Sequence, residues 1–316
     1  MSLWLIGAGI MSLEYAKVLN SLGVDYEVIC RSSSSAEKFK KEINKHVIIG
    51  GVSNALKENK PPNQAIIAVG VEDLAKTTID LLVSGTKRIL LEKPGGVNTK
   101  EISDVYKVTN SYSASVLLGY NRRFYASTQA LKEIIIKDGG ATSCNFEFTE
   151  WSHVIKNIVK EKVVKESWFL ANSTHVVDLA FYLCGFPSEW QSYHNGSLKW
   201  HPTASRFCGS GITEKGILFS YHADWEAPGR WSLEVLTKLN RYVLRPLEKL
   251  QKIPLGKLEI ESINIDDEFD KKYKPGLYKQ VKAFLNNEDE EFCSIKDQVN
   301  HSSIYDRIAG YNKLST

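Results

Sequence analysis

Along the first third of the chain, apolar residues come in short unbroken runs separated by helical periods. Leu3–Ile6 and residues 26–30 read as strands, with a helix between them over 14–22 that Gly23 ends. The alternation continues through a helix at 36–43, a short strand at Val47–Ile49 and the β-branched run 65–69. A helix over roughly 71–84 then precedes a strand at Arg88–Leu91, and 116–119 is expected to be the last strand of the set. Strands apolar on both faces and alternating with helices predict a parallel sheet covered by helices.

Beyond about residue 120 the period changes. Cys144, Phe146 and Phe148 alternate with Ser143, Asn145, Glu147 and Thr149, and Ile217, Phe219, Tyr221, Ala223 and Trp225 alternate in the same way with polar neighbours. Trp231, Leu233 and Val235 begin a further strand after the turn Ala227-Pro228-Gly229. A period of two implies one buried and one open face, so the second part should be an α+β domain, an antiparallel sheet with helices on one side. The expected division is 1–119 and 120–316.

Composition narrows the function classes. The chain has 316 residues, 40 Lys plus Arg against 37 Asp plus Glu, and 43% apolar residues. That is a near-neutral globular protein, long enough to need two cores. Apolar runs such as 66–69 fall far short of the roughly 20 residues that span a bilayer. The start of the chain reads as a buried strand rather than a signal peptide. Five cysteines stand far apart, at 30, 144, 184, 208 and 293, without a Cys-x-x-Cys pair, which fits a reducing cytoplasm. Scattered basic residues give no nucleic-acid stripe, and His153, His194, His201 and His222 have no metal-ligand spacing, so neither a nucleic acid nor a metal is expected.

The chemistry starts at Gly7-Ala8-Gly9-Ile10-Met11-Ser12, a G-x-G-x-x-G turn with serine in the third position. Between a strand and a helix, Gly7 permits the tight turn, Gly9 lets backbone approach a pyrophosphate, and the free N–H groups at Ile10 and Met11 favour an anion. The second strand ends in Cys30-Arg31-Ser32-Ser33, where an NAD site would carry an acid for the ribose 2′-hydroxyl. Arginine with adjacent hydroxyls suits a 2′-phosphate instead, so NADP is the preferred cofactor and NAD the second choice. A tight turn without ligand and a solvated arginine are the bland alternatives.

Leu91-Glu92-Lys93-Pro94-Gly95-Gly96 resembles the Glu-Lys-Pro motif of the Gfo/Idh/MocA oxidoreductases, the glucose-fructose oxidoreductase and inositol dehydrogenase family. The glycine turn, that motif, Gly119-Tyr120-Asn121-Arg122-Arg123-Phe124 and the helix near His175 follow in the family's order, so the resemblance spans nearly the whole chain. It implies a Rossmann domain followed by a substrate-binding and oligomerisation domain with a large, mostly antiparallel open sheet. It also implies hydride transfer between a nicotinamide and a sugar, cyclitol or nucleotide-sugar, in a homodimer or homotetramer. Glu92, Lys93 and Pro94 would lie against the cofactor. Lys93 and His175 would form the catalytic pair, with His175 exchanging a proton near neutral pH.

Asn172-Ser173-Thr174 offers N-cap side chains for the helix that carries His175, and Asp178, three residues on, shares a helix face with the histidine. Asp178 is expected either to orient that ring or to bond backbone. Many family members place an aspartate where this chain has Ala171. Asn172 or Asp178 would then substitute in part, or turnover would be lost. Tyr120 and Arg123 would border the nicotinamide or meet a substrate phosphate, and an internal salt bridge accounts for Arg123 equally well. Trp225, Arg230 and Trp231 flank the Pro-Gly turn, where sheet packing is the expected use of the tryptophans and stacking on a sugar or base the alternative. Two other functions remain open: a noncatalytic NADP sensor or scaffold, and a cofactor-retaining glycosidase of the same family.

Overall fold

The computed structural model describes residues 2–311. Of these, the residues up to Asn121 and those of Lys272–His301 form one compact unit, and Arg122–Lys271 with the residues from Ser302 onward form another.

The first unit opens with β1 (Leu3–Ile6), α1 (Ile10–Ser21), β2 (Glu27–Cys30), α2 (Ser33–Ile43), β3 (Val47–Ile49) and α3 (Gly51–Glu58). It continues with β4 (Gln64–Ile67), α4 (Val71–Val83), β5 (Arg88–Leu91), α5 (Thr99–Ser111) and β6 (Ser115–Leu118). Every residue of β1 and β4 is buried, as the unbroken apolar runs require of strands covered on both faces. Helix α1 starts four residues before the apolar period suggests, because Ile10 faces outward at 82% exposure and leaves no mark in the pattern.

The second unit holds a 3₁₀ turn (Asn121–Phe124), α6 (Ala126–Lys137), β7 (Ser143–Glu147), α7 (Ser152–Ile155), α8 (Lys162–Glu166), a π turn (Phe169–Ser173) and α9 (Thr174–Cys184). Strands β8 (Pro187–Asn195), β9 (Arg206–Thr213), β10 (Leu218–Asp224), β11 (Ser232–Leu236), β12 (Asn240–Leu244), β13 (Gln251–Pro254) and β14 (Glu261–Ser262) follow, then α10 (Glu268–Lys272). The last elements of the described residues are α11 (Leu277–Asn286), β15 (Cys293–Ser294) and α12 (Ile295–Ala309).

The first sheet runs β15-β6-β5-β4-β1-β2-β3, parallel except for β15. The strand at 115–118 is therefore not the sheet's last, because the two residues of β15 pair antiparallel with β6 from far along the chain. Arg88 fastens that returning segment, donating through Nη1 to Asp289 at 3.0 Å and through Nη2 to the Phe284 carbonyl at 3.1 Å.

The second sheet runs β14-β13-β12-β11-β7-β10-β9-β8. It is antiparallel apart from β7 and β10, which pair in parallel with Phe146 opposite Tyr221. Alternating polarity identifies a half-buried strand but carries no information about its direction. The buried face packs on α9 through aromatic edges: Phe146 meets Phe181 at 5.5 Å, and Phe219 meets the same ring at 5.3 Å. No described helix is long and apolar enough to cross a membrane.

One buried histidine ties Tyr311 to this core. His201 Nδ1 lies 2.8 Å from the Ala204 carbonyl, which can only accept, so Nε2 is the acceptor for the Tyr311 hydroxyl at 3.1 Å. Burial lowers the histidine's pKa from 6.5 to about 4. In that window the unfolded chain binds a proton that the folded chain refuses, so stability falls as pH drops. The expected loss approaches 3 kcal/mol between pH 6.5 and 4 as an order of magnitude (~1.4 kcal/mol per pH unit). Urea unfolding at several pH values should show a shallower acid slope in His201→Phe than in wild type; parallel slopes would refute the assignment.

Candidate functional site

In the first unit the chain leaves β1 through Gly7, whose φ of +116° is closed to other residues. A Cβ there would stand 2.4 Å from the Ala68 carbonyl oxygen, so this turn requires glycine twice over. Ser12, in the third motif position, donates from Oγ to that same carbonyl at 3.1 Å and locks helix to strand. Gly9 is different. A Cβ at Gly9 would meet nothing within 4 Å, and no side chain caps the helix that starts at Ile10. Open ground beside uncapped N–H groups at Ile10 and Met11 fits a pyrophosphate.

Arg31 sits at the end of β2 and makes a two-pronged ion pair with Asp73 in the first turn of α4, with Nη2 at 2.7 Å and Nη1 at 3.0 Å from the carboxylate oxygens. Ser32 is the N-cap of α2, its hydroxyl accepting from the Ser35 amide, and Ser33 is the first helical residue. The helix thus begins three residues earlier than its apolar period.

At the end of β5, Glu92 is half-buried and accepts from the Tyr15 hydroxyl at 2.8 Å. Burial pushes its carboxyl above the usual carboxylate range, against the Tyr15 bond and the charges of Lys93 and Lys274. Burial, with Glu92 alongside, also raises the Tyr15 phenol. The Lys93–Pro94 peptide is cis, and the Pro94 carbonyl accepts from Gln298 Nε2 at 3.1 Å. Gln298 also accepts from the Tyr120 hydroxyl at 3.2 Å. Tyr120 is therefore buried in the first unit, held by a glutamine that no local pattern singled out.

In the second unit, α9 is buried along all of its length except Tyr182. Asp178, 1% exposed, has both carboxylate oxygens bound by Arg123, from Nε at 2.8 Å and Nη2 at 2.6 Å. Of the two uses open to Arg123, the salt bridge is the one formed, and Asp178 directs its carboxylate to Arg123 rather than to the His175 ring. The expected N-cap is likewise replaced. The chain enters α9 already wound as a π turn, and Asn172 and Ser173 donate to Glu150 Oε1 at 2.9 and 2.8 Å. Glu150 is a buried carboxylate just past β7, and only the fold brings it to residues 172 and 173.

His175 lies in the first turn of α9 with its ring 6.1 Å from that of Trp231. Trp231 belongs to a ladder of alternating rings and cations. Arg230 stands 4.8 Å from Trp151 and 4.6 Å from Trp231, and Arg122 stands 4.7 Å from the Trp231 ring and 5.8 Å from Tyr125. Burial lowers the Arg122 pKa, opposed by Tyr125, Glu248 and Glu150. Trp225, by contrast, stacks on Trp200 at 5.7 Å and donates to the Phe148 carbonyl, which is sheet packing.

Removing one partner of the Arg123–Asp178 pair would strand a buried charge. Asp178→Ala should lose about 3 to 5 kcal/mol of unfolding free energy, while Arg123→Met with Asp178→Leu recovers much of it. A loss below about 0.5 kcal/mol in denaturant titration of Asp178→Ala would show that the pair anchors nothing.

No family model matches the chain. Trans-1,2-dihydrobenzene-1,2-diol dehydrogenase of Sus scrofa is 24% identical over 136 residues, which cover 42% of this chain and 41% of that protein; the Homo sapiens enzyme is 22% identical over 133 residues. The chain thus matches about two-fifths of the length of these curated relatives. Among solved structures, levoglucosan dehydrogenase in complex with NADH and levoglucosan has a TM-score of 0.79 at 15% identity, covering 100% of this chain and 98% of that one. UDP-N-acetylglucosamine 3-dehydrogenase from Acidithiobacillus ferrooxidans gives 0.76 at 14% identity, covering 98% and 97%. An NAD-binding oxidoreductase from Klebsiella pneumoniae gives 0.78 at 13%, covering 100% and 97%. At these identities the structural likeness establishes the fold: a Rossmann-like parallel-sheet part and a second, mostly antiparallel sheet. Relatives and neighbours alike are dehydrogenases or oxidoreductases, and together with the motifs they fit the Gfo/Idh/MocA oxidoreductase family.

Proposed function

We propose that the chain is an NAD(P)-dependent oxidoreductase moving a hydride between nicotinamide and a hydroxyl- or carbonyl-bearing carbon of a sugar, cyclitol or nucleotide-sugar. The observation that carries this reading is the open, uncapped start of α1 beside Gly9, behind a turn that only glycine at position 7 can make. Gly7, Gly9, Ile10 and Met11 would hold the pyrophosphate, and Glu92, Lys93 and Pro94 the nicotinamide side of the cofactor. The neighbours named for levoglucosan and UDP-N-acetylglucosamine support a sugar or nucleotide-sugar, and the relatives named for a dihydrobenzenediol support chemistry at a ring hydroxyl.

When bound, the nicotinamide supplies or takes the hydride. The Lys93 ammonium holds and polarises the substrate oxygen, and His175 accepts its proton in oxidation or donates one in reduction, a role usually contributing about 10² to 10⁴ in rate. In place of the expected cut at 119/120, the first unit, up to Asn121 with Lys272–His301, is proposed as the dinucleotide-binding part and the second unit as the part for substrate and assembly. The protein would act in the cytoplasm as a homodimer or homotetramer. The open face of the second sheet, with Tyr193, Ile212 and Leu218 exposed, supports pairing there.

NADP is the proposed preference. Arg31 is largely exposed, so its pair with Asp73 contributes about 0 to 1 kcal/mol, less than the roughly 1.5 to 3 kcal/mol of a charge-assisted bond to a 2′-phosphate. Titration should give NADPH a more than about tenfold advantage over NADH. Arg31→Ala should abolish it, and Asp73→Asn should tighten NADPH alone. Equal or tighter NADH binding by the wild type would overturn the preference.

The catalytic roles predict that His175→Ala slows single-turnover hydride transfer by about 10² to 10⁴ with NADPH affinity unchanged, and that Lys93→Ala slows it while also weakening cofactor binding. Wild-type rates in both variants, on a substrate the wild type turns over, would exclude this assignment.

A further inference from the structure

We infer that Trp231 and Arg230 form an oxyanion subsite beside His175, receiving a carboxylate or phosphate carried by the substrate. The inference rests on the oxidoreductase reading for the word substrate, but its evidence lies wholly in the second unit. Trp231 is 6% exposed, and its indole N–H finds no acceptor among the described residues. A buried donor left in that state costs about 1 to 3 kcal/mol, and such a group needs an explanation in a native fold. Two neighbouring tryptophans satisfy theirs: the buried Trp225 donates to the Phe148 carbonyl and the half-exposed Trp151 to that of Gly229.

The surroundings select the sign of the missing acceptor. Guanidinium groups of Arg230 and Arg122 cover the Trp231 ring at 4.6 and 4.7 Å. Cations on an indole draw electron density from its N–H and make it a stronger donor. Arg230 is also poorly committed. Its side chain is 45% exposed, and its one carboxylate contact among the described residues, with Glu150 Oε2, is 3.5 Å long, beyond the range of a strong charge-assisted bond. Glu150 meanwhile gives its other oxygen to Asn172 and Ser173. A neutral hydroxyl would satisfy the indole and accept one hydrogen bond from the guanidinium, whereas an oxyanion adds charge attraction and can meet both donors at once. The His175 and Trp231 rings are in aromatic contact, 6.1 Å between centroids, so a group bound at the indole lies beside the histidine. The subsite would therefore read a charged group on the same sugar whose hydroxyl exchanges its proton with His175.

The test is equilibrium binding to the full chain, by calorimetry, of D-glucose, D-glucuronate and D-glucose 6-phosphate, which differ only at the sixth carbon. At least one charged sugar should bind about tenfold tighter than glucose, and which one does so separates carboxylate from phosphate recognition. Trp231→Phe, which keeps the ring and deletes the N–H, and Arg230→Gln should each weaken that sugar by about tenfold and leave glucose within about twofold; Arg230→Lys should retain part of the preference. Glucose binding as tightly as both charged sugars, no binding of any of the three up to about 10 mM, or a Trp231→Phe protein that binds the charged sugar normally would overturn the inference. Binding is read without turnover. A charged-sugar preference without hydride transfer would defeat the oxidoreductase reading and leave the subsite standing, and turnover of neutral sugars without that preference would do the reverse.

Discussion

A helix enclosed on nearly every side cannot carry a carboxylate unless a cation is buried with it, and α9 carries Asp178 at its centre. Arg123 answers that constraint from the 3₁₀ turn at Asn121–Phe124, meeting both carboxylate oxygens in the planar fork that a guanidinium presents. Much of the second unit's arrangement follows. With Asp178 held, the preceding turn is fixed against Glu150, and the helix enters through a wide π turn in place of a capped start. His175 sits at that junction. Local departures from regular helix of this kind recur at functional sites because they re-aim a side chain without disturbing the packed turns beyond.

The first unit solves a different problem by different means. Its strands carry no polar face, so their order is protected by helices on both sides, and its chemistry is confined to the ends of strands where backbone emerges. There the decisive groups are small. Gly7 has no room for a Cβ, and Gly9 has room left unused. The Glu92-Lys93-Pro94 turn is held by buried amide and phenol groups, Gln298 on the Pro94 carbonyl and Tyr15 on Glu92.

Features that depend on neighbours in the chain were legible before any fold was known. The strands at Leu3–Ile6, Val47–Ile49 and Arg88–Leu91 have the bounds their apolar runs suggest, and the half-buried strands at Ser143–Glu147 and Leu218–Asp224 follow their period of two. The glycine turn was visible for the same reason, since its function requires particular residues at adjacent positions. Helix starts were less visible wherever the first turn is exposed, as at Ile10 and Ser33, because solvent-facing residues carry no period.

Glu150, Gln298 and the stacking of Arg230 on Trp151 and of Arg122 on Trp231 had no such signal. Each draws its meaning from a partner far away in the chain, and a pairing at long range leaves no mark in local composition or spacing. The same holds for the parallel pairing of β7 with β10 and for the return of β15 to the edge of the first sheet. By itself the sequence determined which segments are strands or helices, which faces are buried, and where a glycine turn must stand, because these follow from side-chain period and backbone freedom. Tertiary structure alone decided strand direction, the partners of buried charges, and which arginine is locked in a salt bridge and which is stacked on an aromatic ring, because those depend on three-dimensional proximity between residues tens to hundreds of positions apart.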